Sequence, residues 1–446
     1  MEGVPVRFAS IRRVLTRLRQ PDGGLWADVD FLKLWSAQTI SLVGTQVTLL
    51  ALPLTAILLL DAAPLEIALL GAMETLPFLL FALPAGVWVD RLRRRPLMVI
   101  ADLARAGALL SIPVAHWLDV LTLPQLFVVA FVVGIGTVFF DVSYLSYLPS
   151  LVGRAQLAAG NERLMATQSA AQVGGPGLGG ALVGLLGAPV AILADAISFL
   201  VSGALLGLIR RPERPPEPRA GAHIGNELRE GVRYVMRQPY LRVLTMTTAA
   251  SNLFSSMLFV LFLLYAVREL GFSVGLVGVV LMLVNLGGLA GAILSGRIVR
   301  AFGLGRTIVT TAILGSVALV SIPLAPKDNA LPVFVAGAIL GPGLGMVFNV
   351  NQLSLRQAIT PERLLGRMNS VVRFMYWGTM PAGAAAGGAL ASVVGVRATL
   401  FVGAIGSAIA FVPLAFSPLR HLRVLPQHAE EPQPLVTPPT PSLADA

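Results

Sequence analysis

Glu74, Asp102, Arg105, Asp141 and Arg373 are ionisable residues that stand inside long apolar stretches of this chain. A charge at membrane depth costs about 2.5–3.5 kcal/mol on insertion scales, so it needs a partner or a task. Asp141 lies about nine residues from one end of its stretch. A carboxyl at that depth can take up and release a proton, which makes it the first candidate for proton coupling. Glu74, near the middle of another stretch, is the second. Asp102 and Arg105 are three residues apart, a spacing that lets them form a structural ion pair on one helix face. Arg373, with Tyr376 and Trp377 close behind it, suits an answering carboxylate or an anionic substrate that also needs aromatic contact. The plainer reading of Asp141 is a carboxyl satisfied by a hydrogen bond between helices.

The stretches themselves define the class. With 55% apolar residues, 13% charged residues and a mean hydropathy of +0.78, the 446-residue chain is a polytopic membrane protein rather than a soluble domain. It has no cysteine, which excludes disulfides, Cys-ligated zinc, iron–sulfur clusters and thiol catalysis. His116, His223, His421 and His428 have no ligand spacing, so no metal and no cofactor are expected. The net charge of +10 falls in short gaps between apolar runs, not on one amphipathic surface, so no nucleic-acid partner is expected.

Crossing about 30 Å of hydrocarbon takes about 20 residues. Runs of that length cover residues 33–60, 66–88, 97–117, 125–149, 164–186, 189–209, 243–267, 273–295, 307–325, 331–354, 365–393 and 396–416. They predict twelve transmembrane helices, because lipid offers no partner to an unpaired backbone. All but five of the 33 basic residues belong to the N-terminal segment, the even-numbered loops and the C-terminal tail, which predicts that both termini are cytoplasmic. The exceptions are Arg268, Lys327 and Arg397 in the opposite loops, and Arg105 and Arg373 within spans. No cleavable signal is expected in the basic first 30 residues. The organisation that follows is a cytoplasmic basic segment (1–30), six spans (31–209), a cytoplasmic linker (210–242), six more spans (243–418) and a disordered cytoplasmic tail (419–446). Within the linker, Leu228, Val232 and Val235 recur at helical intervals beside Arg229, Arg233 and Arg237, as in a helix lying in the membrane interface.

The second loop reads Gly86-Val87-Trp88-Val89-Asp90-Arg91-Leu92-Arg93-Arg94-Arg95, and a degraded echo runs from Gly296 to Arg306. Gly86 would let two helices approach. Asp90 would pair with Arg91 or accept from a neighbouring helix N-terminus, as a latch on one gate. In the echo Arg300 replaces the acid, so the latches should be unequal; the alternative is a turn anchored by positive charge alone. A shift of 208 residues also superposes Asn161 on Asn369, Gly179-Gly180-Ala181-Leu182 on Gly387-Gly388-Ala389-Leu390, and Gly187 on Gly395, the mark of internal duplication.

These segments resemble the major facilitator superfamily. The loop matches its G-x-x-x-D-R-x-x-R-R signature, carried here by Gly86, Asp90, Arg91, Arg94 and Arg95. Gly175-Pro176-Gly177-Leu178-Gly179-Gly180 matches the antiporter motif of its drug-efflux branch. Leu148 to Val152 ahead of Asn161, and Glu227 to Tyr234 ahead of Pro239, are similar to the subgroup of macrolide-efflux proteins and the enterobactin exporter. The resemblance covers residues 31–420 and implies an all-α fold of twelve helices in two pseudo-symmetric six-helix bundles. It also implies that Gly175, Pro176, Gly179 and Gly180 suppress leak in span five, where simple helix packing is the other explanation. Drug antiporters of this kind often carry an Arg in span four. Leu126 to Gly136 has none, so proton coupling has to use other groups.

Polar stripes mark one face of several spans: Gln38, Ser41, Thr45 and Thr48; Gly134, Thr137, Asp141 and Tyr144; Thr245, Thr248, Asn252 and Ser255; and Gly345, Asn349 and Gln352. The resembled fold lines its central cavity with those four helices. Asp195, Ser198 and Ser202 form a similar stripe on span six, which that fold puts at the periphery. The function expected is export of an amphipathic small molecule, such as a drug, antibiotic or siderophore-like metabolite, in exchange for protons. The protein would be a monomer in the cytoplasmic (inner) membrane, with lipid, substrate and protons as its partners. An importer on the same fold, or a membrane partner or sensor that transports nothing, are the alternatives. No nucleotide loop or nucleophile–base set supports an enzyme.

Overall fold

The computed structural model describes residues 25–89, 91–213, 224–326 and 330–424. Asp90 and much of the two terminal segments lie outside the described residues, as does the Pro-rich part of the linker from residue 214 to 223.

The described chain is built of helices: α1 (Val29–Leu58), α2 (Pro64–Val89), α3 (Arg94–Trp117), α4 (Leu123–Leu186), α5 (Ala188–Gly207), α6 (Ile224–Arg237), α7 (Pro239–Leu264), α8 (Val274–Phe302), α9 (Leu304–Ala318), α10 (Ala330–Ile359), α11 (Glu362–Val394) and α12 (Val396–Ala410). Local chemistry starts several of them. The Asp28 carboxylate accepts the Asp30 and Phe31 amides at 3.0 and 3.2 Å to open α1, and Gln238 accepts the Leu241 amide at 3.0 Å ahead of Pro239 to open α7. Gly187 and Gly395, the pair superposed by the 208-residue shift, adopt φ values of 80° and 86° and begin α5 and α12.

Among the described residues, ten helical segments are long and apolar enough to cross a membrane. The remaining two runs expected from sequence, 164–186 and 365–393, lie in α4 and α11 and fall outside that set. Both are long helices rich in Gly and Ala, whose small side chains trade apolar bulk for close packing. The expected loop between residues 149 and 164 shrinks to one residue. Gly153, at φ 73° and ψ 165°, breaks α4 into two arms, a conformation that glycine adopts without a Cβ penalty.

Helices α1–α5 pack among themselves, as do α7–α12, and the contacts between the two groups run chiefly through α2 with α11 and the second arm of α4 with α8. Those two seams are built alike. A Cβ on Gly180 would stand 2.9 Å from Gly278 Cα, and one on Gly388 would stand 3.0 Å from Leu65 Cα and would collide with Ala68. Next to them, Gly179 faces Val47 Cα at 3.2 Å and Gly387 faces Met257 Cα at 2.8 Å. Each contact recurs with an offset of 208 or 210 residues, so the repeat seen in sequence is also a repeat of close backbone approaches. The largest apolar core joins the groups at this end, through Leu54 and Ile57 on one side and Leu261 and Tyr265 on the other.

The helix expected in the linker forms as α6, turned partly inward. Gly231 packs on Arg367 and Val371 of α11 and Val235 is fully buried, while Val232, Arg229, Arg233 and Arg237 face outward.

Candidate functional site

One end of the seam between the groups is shut. Arg268, in the turn that follows α7, donates to the carbonyls of Ile57 and Ala62, each at 2.9 Å, and pairs with the Asp61 carboxylate at 2.6 Å. One guanidinium of the second group thus holds the loop between α1 and α2 of the first. Asn285 on α8 adds a second tie, donating to the Gln172 carbonyl on α4 at 2.6 Å. Sequence reading noted Arg268 only as an exception to the charge rule. That exception was the signal, because a cation on the side poor in Lys and Arg calls for a reason, and Asp61 stands on the same side.

Away from that end, α2, the first arm of α4 and α11 surround a cavity of about 180 Å³. Its lining includes Phe78 and Leu79 of α2, Asp141 of α4, and Arg373 and Trp377 of α11. Trp377 sits 5.1 Å from the Phe78 ring across the seam, and the Arg373 guanidinium lies 5.8 Å from the Trp377 ring. Asp141 and Arg373 face the same cavity from opposite sides of the seam. Acid, base and aromatic surface therefore meet in one place, supplied by both groups of helices. Glu74 does not line this cavity. Its backbone carbonyl packs on Gly134, where a Cβ would stand 2.9 Å away.

Asp102 and Arg105 form the expected ion pair, fully within α3, with the guanidinium 4.6 Å from the Phe140 ring and 4.0 Å from the Phe199 ring. Gly136 makes room for it, since a Cβ there would come within 2.6 Å of Arg105 Cγ. Asp195 is buried and does not line the cavity. It accepts from Ser198 at 2.9 Å and packs on Gly44 of α1, which explains the polar stripe on that helix.

The second group answers with neutral polar groups. Tyr376 donates to Gln352 at 3.1 Å, Gln352 donates to Asn349 at 3.0 Å, and Asn252 donates to the Tyr376 carbonyl at 3.3 Å. Arg356, buried beside this chain, lies 5.4 Å from the Tyr376 ring. Asn252 and Asn349 are thereby linked through α11. Gln38 and Thr45 are half-buried on α1, and Tyr144 stacks on Phe140 at 6.3 Å; none of these three lines the cavity beside Asp141.

The basic loop after α2 is anchored within its own group. Glu213 accepts the Arg94 amide at 2.7 Å and the Arg95 amide at 3.2 Å, and Arg95 donates to the carbonyls of Leu206 and Gly207. Arg91 is exposed. Asp90, the acid expected to act as a latch, lies outside the described residues. A Cβ on Gly86 would meet nothing within 4 Å, so close helix approach is not what this glycine provides here. The antiporter-motif glycines are tight: Gly175 packs on Gln46 and Gly179 on Val47, while Gly180 and the Pro176 carbonyl pack on Gly278 across the seam.

Helices of membrane length, two groups meeting at two like seams and a largely apolar cavity between them that holds one acid and one base define a membrane transporter. The chain belongs to the transmembrane secretion effector family of major facilitator transporters, whose model matches residues 26–441. It is 28% identical over 375 residues to the multidrug efflux pump Tap of Mycolicibacterium fortuitum, covering 80% of this chain and 88% of that one. In fold it is similar to a bacterial homologue of the iron transporter ferroportin in an inward-facing state, at a TM-score of 0.69 and 20% identity over 87% of this chain and 98% of that one. It is also similar to the nucleoside transporter NupG, at a TM-score of 0.70 and 11% identity over 87% and 98% of the two chains.

Proposed function

We propose that this transporter exports an amphipathic small molecule, a drug, antibiotic or siderophore-like metabolite, by alternating access in exchange for protons. The observation that carries this reading is the cavity in which Asp141 from one group of helices and Arg373 from the other stand beside Phe78 and Trp377. The resemblance to a multidrug efflux pump over most of the chain supports the export direction.

In this reading the protein crosses the cytoplasmic membrane twelve times, in two pseudo-symmetric six-helix bundles, with both termini in the cytoplasm. The end tied by Arg268 is then external, and the cavity communicates with the cytoplasm. Apolar and aromatic walls take the body of the substrate, while the Asp141–Arg373 region takes its polar part. A proton reaching Asp141 removes the negative charge that faces Arg373. That loosens the acid–base attraction across the seam and lets the groups rock about the substrate. Glu74 is a secondary proton site, and Gly175, Pro176, Gly179 and Gly180 keep the seam tight against leak. A single chain holds the whole cavity, so a monomer suffices.

The test is substrate efflux into inverted vesicles under an imposed pH gradient. Asp141→Asn should reduce accumulation to the level seen without a gradient, while the protein remains in the membrane at wild-type abundance. Retained gradient dependence would remove Asp141 as the coupling group.

A further inference from the structure

Two basic clefts related by the internal repeat open on the face that carries the basic loops; the first is lined by Arg93, Arg95, Arg210 and Arg211 together with Glu213, and the second has no carboxylate in its lining. In the first, the α3 amides of Arg94 and Arg95 are capped by the Glu213 carboxylate, and the same acid lies 3.8 Å from the Arg94 guanidinium. In the second, an offset of 210 residues puts Leu304 and Gly305 at the start of α9 and Arg423 at the position of Glu213. Here the amides are capped by backbone carbonyls instead: Leu304 donates to Arg423 at 3.2 Å and Gly305 to Leu422 at 2.7 Å. Gly305 allows this docking, because a Cβ there would collide with the Leu419 carbonyl. The carboxylate is lost and a guanidinium takes its place.

The second cleft has a volume of about 760 Å³ and carries Arg300, Arg306, Arg420 and Arg423 in its lining. All four are exposed, none of the lining side chains is a carboxylate, and none of the four forms an ion pair among the described residues. Four unneutralised guanidiniums around one hollow attract a multivalent oxyanion, and their planar forks match phosphate. Two apolar side chains join the same lining: Phe302, 65% exposed at the end of the membrane-length helix α8, and Val424, 75% exposed. A cationic hollow with an apolar lip at the end of a spanning helix fits an amphiphile.

We propose that this cleft binds the headgroup phosphate of an anionic phospholipid, with the acyl chains leaving past Phe302. Which leaflet supplies the lipid rests on the orientation proposed above; binding in micelles tests the site without it. The full-length protein in a non-ionic detergent is titrated with phosphatidylglycerol or phosphatidylcholine of the same acyl chains, and bound lipid is read by native mass spectrometry. Phosphatidylglycerol should be retained at least about tenfold more tightly. Each Arg→Gln change in the cleft should weaken it about fivefold, so R420Q/R423Q should cost about 25-fold. R420K/R423K should recover most of that loss, and R93Q/R210Q in the first cleft should leave phosphatidylglycerol binding within about twofold of wild type. R300Q/R306Q, on the opposite wall, carries the same expectation if the first pair does not fold. Equal retention of the two lipids, or wild-type retention in both Gln pairs, overturns the proposal. So does full displacement of phosphatidylglycerol by millimolar inorganic phosphate, which would show a site that reads the free ion.

Discussion

The two groups of helices share a backbone repeat but not a charge pattern. The first, α1–α5, buries Asp102, Asp195 and Arg105, and brings Asp141 to the cavity. The second, α7–α12, carries Arg356 and Arg373 with a chain of neutral groups through Asn349, Gln352 and Tyr376. Duplication supplied matching glycine contacts at both seams, so close packing survived in both copies, whereas the ionisable groups diverged. A rocking fold needs two alike hinging surfaces. It does not need two alike active surfaces, and here one acid, Asp141, faces one base, Arg373, across the cavity.

The comparison breaks first where a charge is most deeply buried. Arg105→Ala leaves Asp102 unpaired in the core of the first group and should cost about 3–5 kcal/mol. A loss of thermal stability in detergent, with no comparable loss for Arg373→Ala at the exposed cavity wall, would confirm that the first group uses its cation for structure. Next come the seams. Gly180→Leu forces a side chain against Gly278 and should cost about 1–3 kcal/mol; Gly388→Leu at the matching seam should cost a similar amount if the seams are equivalent. Unfolding curves of the two variants make that comparison directly.

A smaller effect is expected at the Arg268 clamp. Arg268→Ala removes two hydrogen bonds to carbonyls and a pair with Asp61, which is 96% exposed and adds little. The expected shift is about 1–2 kcal/mol toward opening of that end. The chain has no cysteine, so a single Cys placed near Ala62 reports the opening as faster thiol labelling. The smallest change is Glu213→Gln, which keeps a cap on α3 but loses its charge, for about 0.5–1 kcal/mol. Glu213→Ala should cost more, and equal melting temperatures for both would show that the charge contributes nothing.

Much of this was legible in the residues. Hydropathy runs placed the helices to within a few residues because membrane length and backbone satisfaction are local requirements. The Asp102–Arg105 pair followed from its three-residue spacing, and the seam glycines from the repeat. The loop between the fourth and fifth runs was misread because a basic, polar segment resembles a loop. Here the helix carries on through it, and only Gly153 breaks the path. The burial of Asp195 was not legible for another reason. Its partners, Gly44 and Ser198, are a glycine and a serine, and neither advertises a buried carboxylate. Glu74 and Asp141 look alike in sequence, yet only Asp141 lines the cavity, since facing direction depends on which helix packs beside each one.

By itself, then, the sequence determined the class, the helices, the repeat and the inventory of ionisable groups, because these follow from composition and from periodicities within a single helix. Only the tertiary structure decided that Arg268 bridges the two groups, that Asp141 meets Arg373 across the seam, and that Glu213 sets a carboxylate in one basic cleft while its counterpart, with Arg423, has none. Each of those pairings joins residues many tens to hundreds apart, and no local period records such distances.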